Sequence, residues 1–271
     1  MKLPAGSSRV ALTAFVVMVA GMIATPLFGT GGDERRVLAH VVVASFFVAA
    51  VASAQQAFGS GALVAAAMIV IVTFLVEVLG STTGFPFGAY DYTDSLVPQL
   101  FGVPVIVSFA WAGITLVVHG ALGARVATPL ANGRSTAGSK IALIVMMAGA
   151  ITAWDLFLDP QMVGEGYWKW EPASLAYREI PLVNYVGWLL TASVTSAIAL
   201  AMCKPAAVHA AASDSKQLRT HAEFARAVYA TLATLSTIGF LFFFDDVLVA
   251  VVGGVGMGAF VIASYVTRPR T

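Results

Sequence analysis

The stretch IVIVTFLVEVLG, residues 69–80, decides the fold, because it is apolar enough to lie within a membrane and yet contains Glu77. A second stretch of the same kind, GAITAWDLFLDP at 149–160, contains Asp155 and Asp159. A charged side chain at the centre of a bilayer costs about 2.5–3.5 kcal/mol even on lenient insertion scales. The three carboxylates are therefore candidates for a functional site inside a membrane protein.

The composition of the whole chain agrees with this interpretation. Of its 271 residues, 59% are hydrophobic and 11% are charged, whereas ordinary soluble domains are about 25% charged. A helix needs about 20 apolar residues to cross the hydrocarbon layer. The sequence therefore predicts an all-α, polytopic transmembrane helical bundle that forms a single integral membrane domain over 1–271. We expect about eight spans, at 9–28, 37–58, 62–81, 103–123, 140–159, 181–203, 225–244 and 247–266.

The last two segments are separated only by the region around Asp245 and Asp246, so seven spans with a broken final helix is an alternative. We expect these two aspartates, which end the stretch GFLFFFDD, to form an exposed turn. Neither is a candidate catalytic residue.

The distribution of positive charge predicts the orientation. With eight spans and a cytoplasmic N-terminus, cytoplasmic segments carry most of the 15 lysines and arginines, as the positive-inside rule requires. The prediction is an integral protein of a bacterial plasma membrane with both termini cytoplasmic, which places the three carboxylates near the opposite face. The cytoplasmic charges are Lys2, Arg9, Arg125, Arg134, Lys140, Lys204, Lys216, Arg219, Arg226, Arg268 and Arg270.

Several classes of site have no support in the sequence. Cys203 is the single cysteine, which excludes an internal disulfide and a cysteine metal cluster. The four histidines form no HxxxH or HxxH pair, so no metal site is predicted. Phosphate-binding and dinucleotide-binding glycine motifs are missing in the required context. The net charge of +1 gives no reason to expect nucleic acid, and we predict that no cofactor is needed.

Two connecting segments, 81–104 and 159–181, are rich in aromatic and turn-forming residues. Aromatic side chains are favoured at the membrane interface, so one interpretation is a pair of interfacial belts. The alternative is two interfacial or re-entrant loops that cover a cavity accessible from the lipid. The segments are loosely alike, but their letters show no convincing repeat.

Asp155 and Asp159 are one helical turn apart and share a helix face with Thr152. Two carboxylates that are close together in an apolar environment cannot easily both ionise, so one is expected to remain protonated and to serve as an acid. The alternative for Asp159 is that it ends the helix before Pro160.

Glu77 lies on one helix face with Thr73 and Gly80. A structural salt bridge is the alternative to a functional role, and Lys169 or Arg178 in the second aromatic segment could supply the cation. In neighbouring spans, Trp111 and Asn184 lie nearest to the acidic face and are further candidates, whereas His119 is expected to be structural.

A carboxylic acid beside aromatic surfaces in an apolar cavity suits carbocation chemistry on isoprenoids. The acid can protonate a carbon–carbon double bond, and the resulting tertiary cation is attracted to aromatic faces by about 0.5–2 kcal/mol each. A positioned water molecule can then attack the cation and give a tertiary alcohol. An apolar polyene can reach such a site from the bilayer.

Four blocks carry a resemblance to a known family: TGFPFGAYDYTDSLVPQLFGVP at 83–104, SFAWAG at 108–113, WDLFLDPQMVGEGYWKW at 154–170 and IPLVNYVGWLLT at 180–191. They resemble the carotenoid biosynthesis family of membrane proteins, whose characterised members are carotenoid 1,2-hydratases of the bisanhydrobacterioruberin hydratase and γ-carotene 1′-hydroxylase types. The resemblance implies hydration of a terminal isopropylidene double bond of an acyclic or monocyclic carotenoid. It also implies a carotenoid and membrane lipid as partners, water as co-substrate, and association with other enzymes of carotenoid biosynthesis.

The site hypothesis combines this resemblance with the chemistry of the residues. Asp155 is the preferred general acid, Asp159 shares or relays its proton, and Glu77 is the preferred base or water-positioning group. Two rival functions remain open: a membrane enzyme like lycopene cyclase, and a carotenoid- or lipid-binding or transport protein without catalysis. The expected substrate-binding residues are Tyr90, Asp91, Trp111, Tyr167, Trp168, Trp170, Asn184 and Trp188.

Overall fold

The computed structural model describes residues 8–131, 136–204 and 212–266, with side chains described outside 124–131 and 212–215. Within these ranges, eight helices are long and apolar enough to cross a membrane, which confirms the all-α polytopic bundle. The seven-span alternative with a broken final helix is wrong, because α7 and α8 are each long and apolar enough to cross the membrane separately. Their bounds are α1 Arg9–Ala24, α2 Asp33–Phe58, α3 Ser60–Thr83, α4 Val105–Ala131, α5 Ala137–Gly164, α6 Leu182–Met202, α7 Ala212–Phe242 and α8 Val247–Val266.

The orientation of the chain in the membrane depends on charges at the chain ends and in the connecting segments. Of these, the chain ends and Lys2, Arg134, Arg268 and Arg270 lie outside the described residues. The side chain of Arg125 lies outside them too. The cytoplasmic position of the termini therefore stays a prediction.

Helix α5 continues through Pro160 and ends at Gly164, so the alternative in which Asp159 ends the helix is wrong. Proline removes one backbone donor, but helices packed in membrane proteins tolerate this loss because neighbouring groups compensate for it. The continuation has a structural consequence. It keeps Asp155 and Asp159 on consecutive turns of one regular helix, where both are buried.

The two aromatic loops fold over one end of the bundle, here called the loop face. Strand β1 (Tyr90–Tyr92) of the first loop pairs in antiparallel fashion with β4 (Trp168–Trp170) of the second. Each loop also forms a small hairpin of its own just before the next helix. These hairpins pair β2 (Gln99–Leu100) with β3 (Val103–Pro104), and β5 (Ala176–Tyr177) with β6 (Ile180–Pro181).

The order of elements reveals an internal repeat, although the sequence alone shows no convincing one. The first half consists of α3, strands β1 to β3 and α4, and the second half of α5, strands β4 to β6 and α6. The register pairs Tyr90 with Trp170 and Tyr92 with Trp168, as an approximate two-fold relation between the halves requires. The packing has the same symmetry, because α3 contacts α4 and α6, while α5 contacts α6 and α4.

Single residues also correspond at equal spacing in the two halves. In each half, a tryptophan lies seven residues after the proline that ends the hairpin. In each half, a carboxylate lies thirteen residues before the aromatic residue that begins the strand shared between the loops. These equivalent pairs are Pro104 and Pro181, Trp111 and Trp188, Tyr90 and Trp168, and Glu77 and Asp155. The repeat thus brings one carboxylate from each half to the loop face.

The remaining helices flank this central group. Helices α1 and α2 pack together, α2 and α7 contact α4, and α8 packs on α5 and α7. Helix α4 is the centre of the bundle, since 78% of its apolar window is buried, against 28% for α1, α2 and α8. The lightly buried helices leave apolar side chains such as Val16, Val37 and Val255 on the outer surface.

We expect Gly187→Ala to destabilise the contact between α6 and the first loop. A Cβ atom at Gly187 would lie 2.7 Å from the carbonyl oxygen of Pro86 and 2.7 Å from the ring of Phe87. Overpacking of this kind costs about 1–3 kcal/mol, which thermal unfolding in detergent would measure. Gly258→Ala is the matched control, because a Cβ atom at Gly258 meets nothing within 4 Å. Equal stability of the two variants would contradict the expectation.

Candidate active site

A small cavity lies at the loop face, between the ends of helices α3 to α6 and the paired strands. Its volume is about 30 Å³, which is enough for about one water molecule. Carboxylate, amide, phenol and indole groups meet there inside an otherwise apolar wall. The lining residues are Glu77, Phe87, Tyr90, Tyr92, Val107, Ala110, Trp111, Leu158, Asp159, Trp168, Trp170, Asn184 and Trp188.

Glu77 is buried in this wall and accepts three hydrogen bonds. Its Oε2 atom accepts from the hydroxyls of Tyr90 at 2.7 Å and Tyr92 at 2.8 Å. Its Oε1 atom accepts from the indole nitrogen of Trp111 at 2.9 Å. Hydrogen bonds to a carboxylate favour its charged form. The arrangement therefore suits an ionised carboxylate, and Oε1 retains a lone pair that can accept from a water molecule.

The two tyrosines remain donors over the whole physiological range. Burial and the neighbouring Glu77 raise the pKa of Tyr90 far above its ordinary value. Burial, followed by Glu77 and Tyr90, likewise raises the pKa of Tyr92. Both phenols therefore stay protonated, so Glu77 keeps the same donors across a wide range of pH.

The second acidic group is the pair formed by Asp155 and Asp159 on α5. The amide nitrogen of Asn184 donates to Oδ2 of Asp155 at 2.9 Å and to Oδ2 of Asp159 at 2.5 Å. Trp168 donates from its indole nitrogen to Oδ1 of Asp159 at 3.0 Å. Oδ1 of Asp155 is buried without a hydrogen-bond partner among the described residues. One amide therefore holds both carboxyl groups together, and a proton on the pair would relieve their repulsion.

Aromatic rings form the rest of the wall. Trp111 and Trp188, the equivalent tryptophans of the two halves, stack with ring centroids 4.0 Å apart. Trp170 packs against Tyr90 at 4.8 Å, and Trp168 meets Tyr92 edge-on at 5.6 Å. Several ring faces are thus fixed within one small volume, where they can attract a cation.

Comparison with known sequences identifies the family. The sequence model of the family described as "Carotenoid biosynthesis protein" matches residues 36–261, which is most of the chain and includes every residue of the cavity. The chain belongs to the carotenoid biosynthesis protein family. It is 31% identical over 131 residues to a protein of Haloarcula japonica named bisanhydrobacterioruberin hydratase. That alignment covers 46% of this chain and 40% of the relative's length. No solved structure matches the chain.

In this member of the carotenoid biosynthesis protein family, most of the predicted site residues meet at one place. The structure brings Glu77, Asp159, Tyr90, Trp111, Trp168, Trp170, Asn184 and Trp188 to the cavity wall. Asp155 lies outside the lining and contacts the site through Asn184. Tyr167 lines a neighbouring apolar cavity instead. Asp91 is exposed, since successive side chains of a strand point to opposite faces and those of Tyr90 and Tyr92 point inwards.

The sequence reasoning missed Tyr92, which completes the set of donors around Glu77. The alternation in Tyr-Asp-Tyr contained the signal, because a strand that buries Tyr90 also buries the residue two positions later.

The cationic partner considered for Glu77 is wrong. Lys169 is exposed opposite Asp91 in the strand pair, and Arg178 forms an ion pair with Asp246 at 2.7 Å. The same oxygen of Asp246 accepts from the backbone nitrogen of Val249 at 3.1 Å, in the first turn of α8. The turn between α7 and α8 is therefore structural, as expected. Among the described residues, no group of three or more histidine, cysteine, aspartate or glutamate side chains could hold a metal ion.

We expect Tyr90→Phe to lower the free energy of unfolding by about 1.5–3 kcal/mol, the usual range for a hydrogen bond to a charged group. The variant removes one of the two phenol donors from a buried carboxylate. Tyr177→Phe is the matched control, because the buried hydroxyl of Tyr177 has no partner among the described residues. Denaturation in detergent measures both changes, and a Tyr90 variant as stable as the control would show that this hydrogen bond contributes little.

Proposed function

We propose that this chain is a carotenoid hydratase, which adds water to the terminal isopropylidene double bond of an acyclic or monocyclic carotenoid. Membership of the carotenoid biosynthesis family and the name of the Haloarcula japonica relative support this reaction. One observation carries the proposal. Glu77, which accepts three hydrogen bonds, and Asp159, which one amide holds to Asp155, line the same small aromatic cavity.

The acid in this proposal is the Asp155–Asp159 pair, which carries one proton. Asp159 delivers it, because Asp159 lines the cavity and Asp155 does not. This assignment refines the expectation that gave Asp155 the first role. The proton forms a new C–H bond with the less substituted carbon of the double bond, and the π electrons supply that bond. The other carbon, which carries two methyl groups, becomes a tertiary cation.

The water molecule completes the reaction. Its oxygen forms the new C–O bond with the cation, and one of its protons passes to Oε1 of Glu77. Transfer of this proton from Glu77 back to the aspartate pair restores the starting state. The cycle consumes one double bond and one water and gives one tertiary alcohol, with no net change in protons or electrons. No further reactant is therefore needed.

The aromatic wall stabilises the intermediate between these two steps. Each ring face near the cation contributes about 0.5–2 kcal/mol, and the stacked pair of Trp111 and Trp188 holds two such rings in place. Efficient general acid or base catalysis adds a factor of about 10²–10⁴ for each group. Together these effects accelerate a reaction that an isolated alkene in lipid does not undergo.

The setting of the reaction completes the proposal. The protein lies in a bacterial plasma membrane with both termini cytoplasmic, where an apolar carotenoid reaches it through the lipid. The bias of positive charge along the sequence supports this orientation. Other enzymes of carotenoid biosynthesis act on the same pool of membrane-dissolved substrate, and association with them follows from this shared location.

Expression of the gene in a lycopene-producing host tests the function. The pigments are extracted with and without the gene and analysed by mass spectrometry, after growth in water enriched in heavy oxygen. A hydratase adds the mass of one water per modified end and incorporates the label. A product with unchanged mass and a new ring would identify a cyclase instead. Unaltered lycopene that copurifies with the protein would identify a binding protein, and either result would overturn the proposal.

A further inference from the structure

A second and larger cavity lies next to the reaction cavity. Its volume is about 160 Å³, and it is enclosed by α1, α2, α4, α5 and α7 together with the aromatic loops. Its wall is mainly apolar. A cavity of about 150 Å³ lined by apolar side chains stays dry and accepts an apolar guest the size of benzene. This cavity can therefore hold about one branched isoprenoid unit, which is much less than a whole carotenoid.

The two cavities share part of their walls. Val107, Ala110, Leu158 and Trp168 line both of them. The two cavities therefore adjoin each other. Trp168 also donates its indole hydrogen bond to Asp159. A group that occupies the larger cavity beside Trp168 thus contacts a residue that is hydrogen-bonded to the acid.

Two charged groups that neutralise each other also line the larger cavity. Arg35 and Glu165 form a buried ion pair there. Arg35 also donates to the carbonyl oxygen of Phe28 at 2.8 Å and lies 5.5 Å from the centre of the Phe244 ring. The pair carries no net charge, so it favours neither an anionic nor a cationic guest.

We infer that the larger cavity receives the acyclic terminal isoprenoid unit of the carotenoid, while the smaller cavity holds the water molecule that reacts with it. This inference rests on the proposed function and names the part of the substrate that the protein recognises. The inference rests on the difference in volume and polarity between the two adjoining cavities. A terminal ring of a cyclised carotenoid is bulkier than this space, so the cavity selects acyclic ends.

The first test uses the unaltered protein in detergent with two probes of equal carbon number. Lycopene has two acyclic ends and β-carotene has two cyclic ends. The protein is separated from free pigment by gel filtration, and the bound pigment is measured by its absorbance. We expect lycopene to bind at least about tenfold more tightly, as an overpacking penalty of about 1.4 kcal/mol implies. Equal retention of both pigments would overturn the inference, as would complete displacement of lycopene by phospholipid at equal concentration.

The second test fills the cavity. Ala39 of α2 lines it, whereas Ala44 of the same helix is exposed on the outer surface. We expect Ala39→Phe to reduce lycopene binding at least about tenfold and Ala44→Phe to leave it unchanged. Ser236→Leu on α7 fills the opposite wall and replaces Ala39→Phe if that variant does not fold. Unchanged binding in a folded cavity-filling variant would contradict the inference.

The outcomes separate this inference from the proposed function. Lycopene that binds to the unaltered protein, is lost on filling the cavity, and is never hydrated would support the pocket and refute the hydratase. Hydration that continues unchanged in a folded Ala39→Phe variant would support the hydratase and refute the pocket.

Discussion

Asp159→Asn is expected to reduce hydration by about 10²–10⁴-fold, the contribution typical of a general acid. An asparagine has the same shape but carries no acidic proton, so it cannot protonate the double bond. Its one oxygen can accept from Trp168 or from Asn184 but cannot replace both carboxylate oxygens, so activity is compared per folded protein. Product formed per folded protein, measured in membranes supplied with lycopene, gives the size of the effect.

The control for this variant is Asp94→Asn, which removes an exposed carboxylate from the same loop face and should leave activity unchanged. Asp155→Asn provides a second comparison within the pair. If Asp159→Asn retained normal activity at normal protein levels while Asp155→Asn lost it, the proton donor would be Asp155. Retention of activity in both variants would remove the aspartate pair from the mechanism.

Glu77→Gln is expected to reduce the yield of alcohol by about 10²–10⁴-fold, for a different reason. The acid is still present, so the cation still forms, but the amide cannot take a proton from the attacking water. The cation then loses a proton and returns to an alkene. When the reaction is run in deuterium oxide, the recovered substrate should therefore carry deuterium near its end group, although little alcohol is made.

This exchange separates the two roles, because Asp159→Asn should give neither alcohol nor deuterium in the recovered substrate. Glu171→Gln is the matched control, since Glu171 is exposed on the second loop and lies outside the cavity wall. If Glu77→Gln formed alcohol at the normal rate, Glu77 would be a structural acceptor for Tyr90, Tyr92 and Trp111. Loss of exchange in this variant would instead place the acid function on Glu77.

The sequence predicted the fold class and the number of helices, because hydropathy over about 20 residues is a strong signal. It also identified the carboxylates, since Glu77, Asp155 and Asp159 are costly within apolar segments and therefore conspicuous. Helix ends were predicted less well. Helix α5 runs past Pro160, and α2 begins at Asp33, ahead of the apolar stretch.

The detailed arrangement of the site could not be predicted, because it depends on contacts between distant parts of the chain. Nothing local in the sequence shows that Asn184 reaches both aspartates, or that Asp159 rather than Asp155 faces the cavity. The pairing of β1 with β4 joins loops that lie about eighty residues apart in the chain. The larger cavity is formed by five helices and leaves no pattern in any one of them.

In the proposed reaction, the internal repeat bears on why the acid and the base are different groups. Two identical halves would present identical carboxylates, and either one could then hold the proton. The halves differ at two positions of the small cavity. Asp159 and Asn184 of the second half correspond by spacing to Ser81 and Val107 of the first. These two positions break the equivalence, so in the proposed reaction the direction of proton transfer follows from the differences between the two halves.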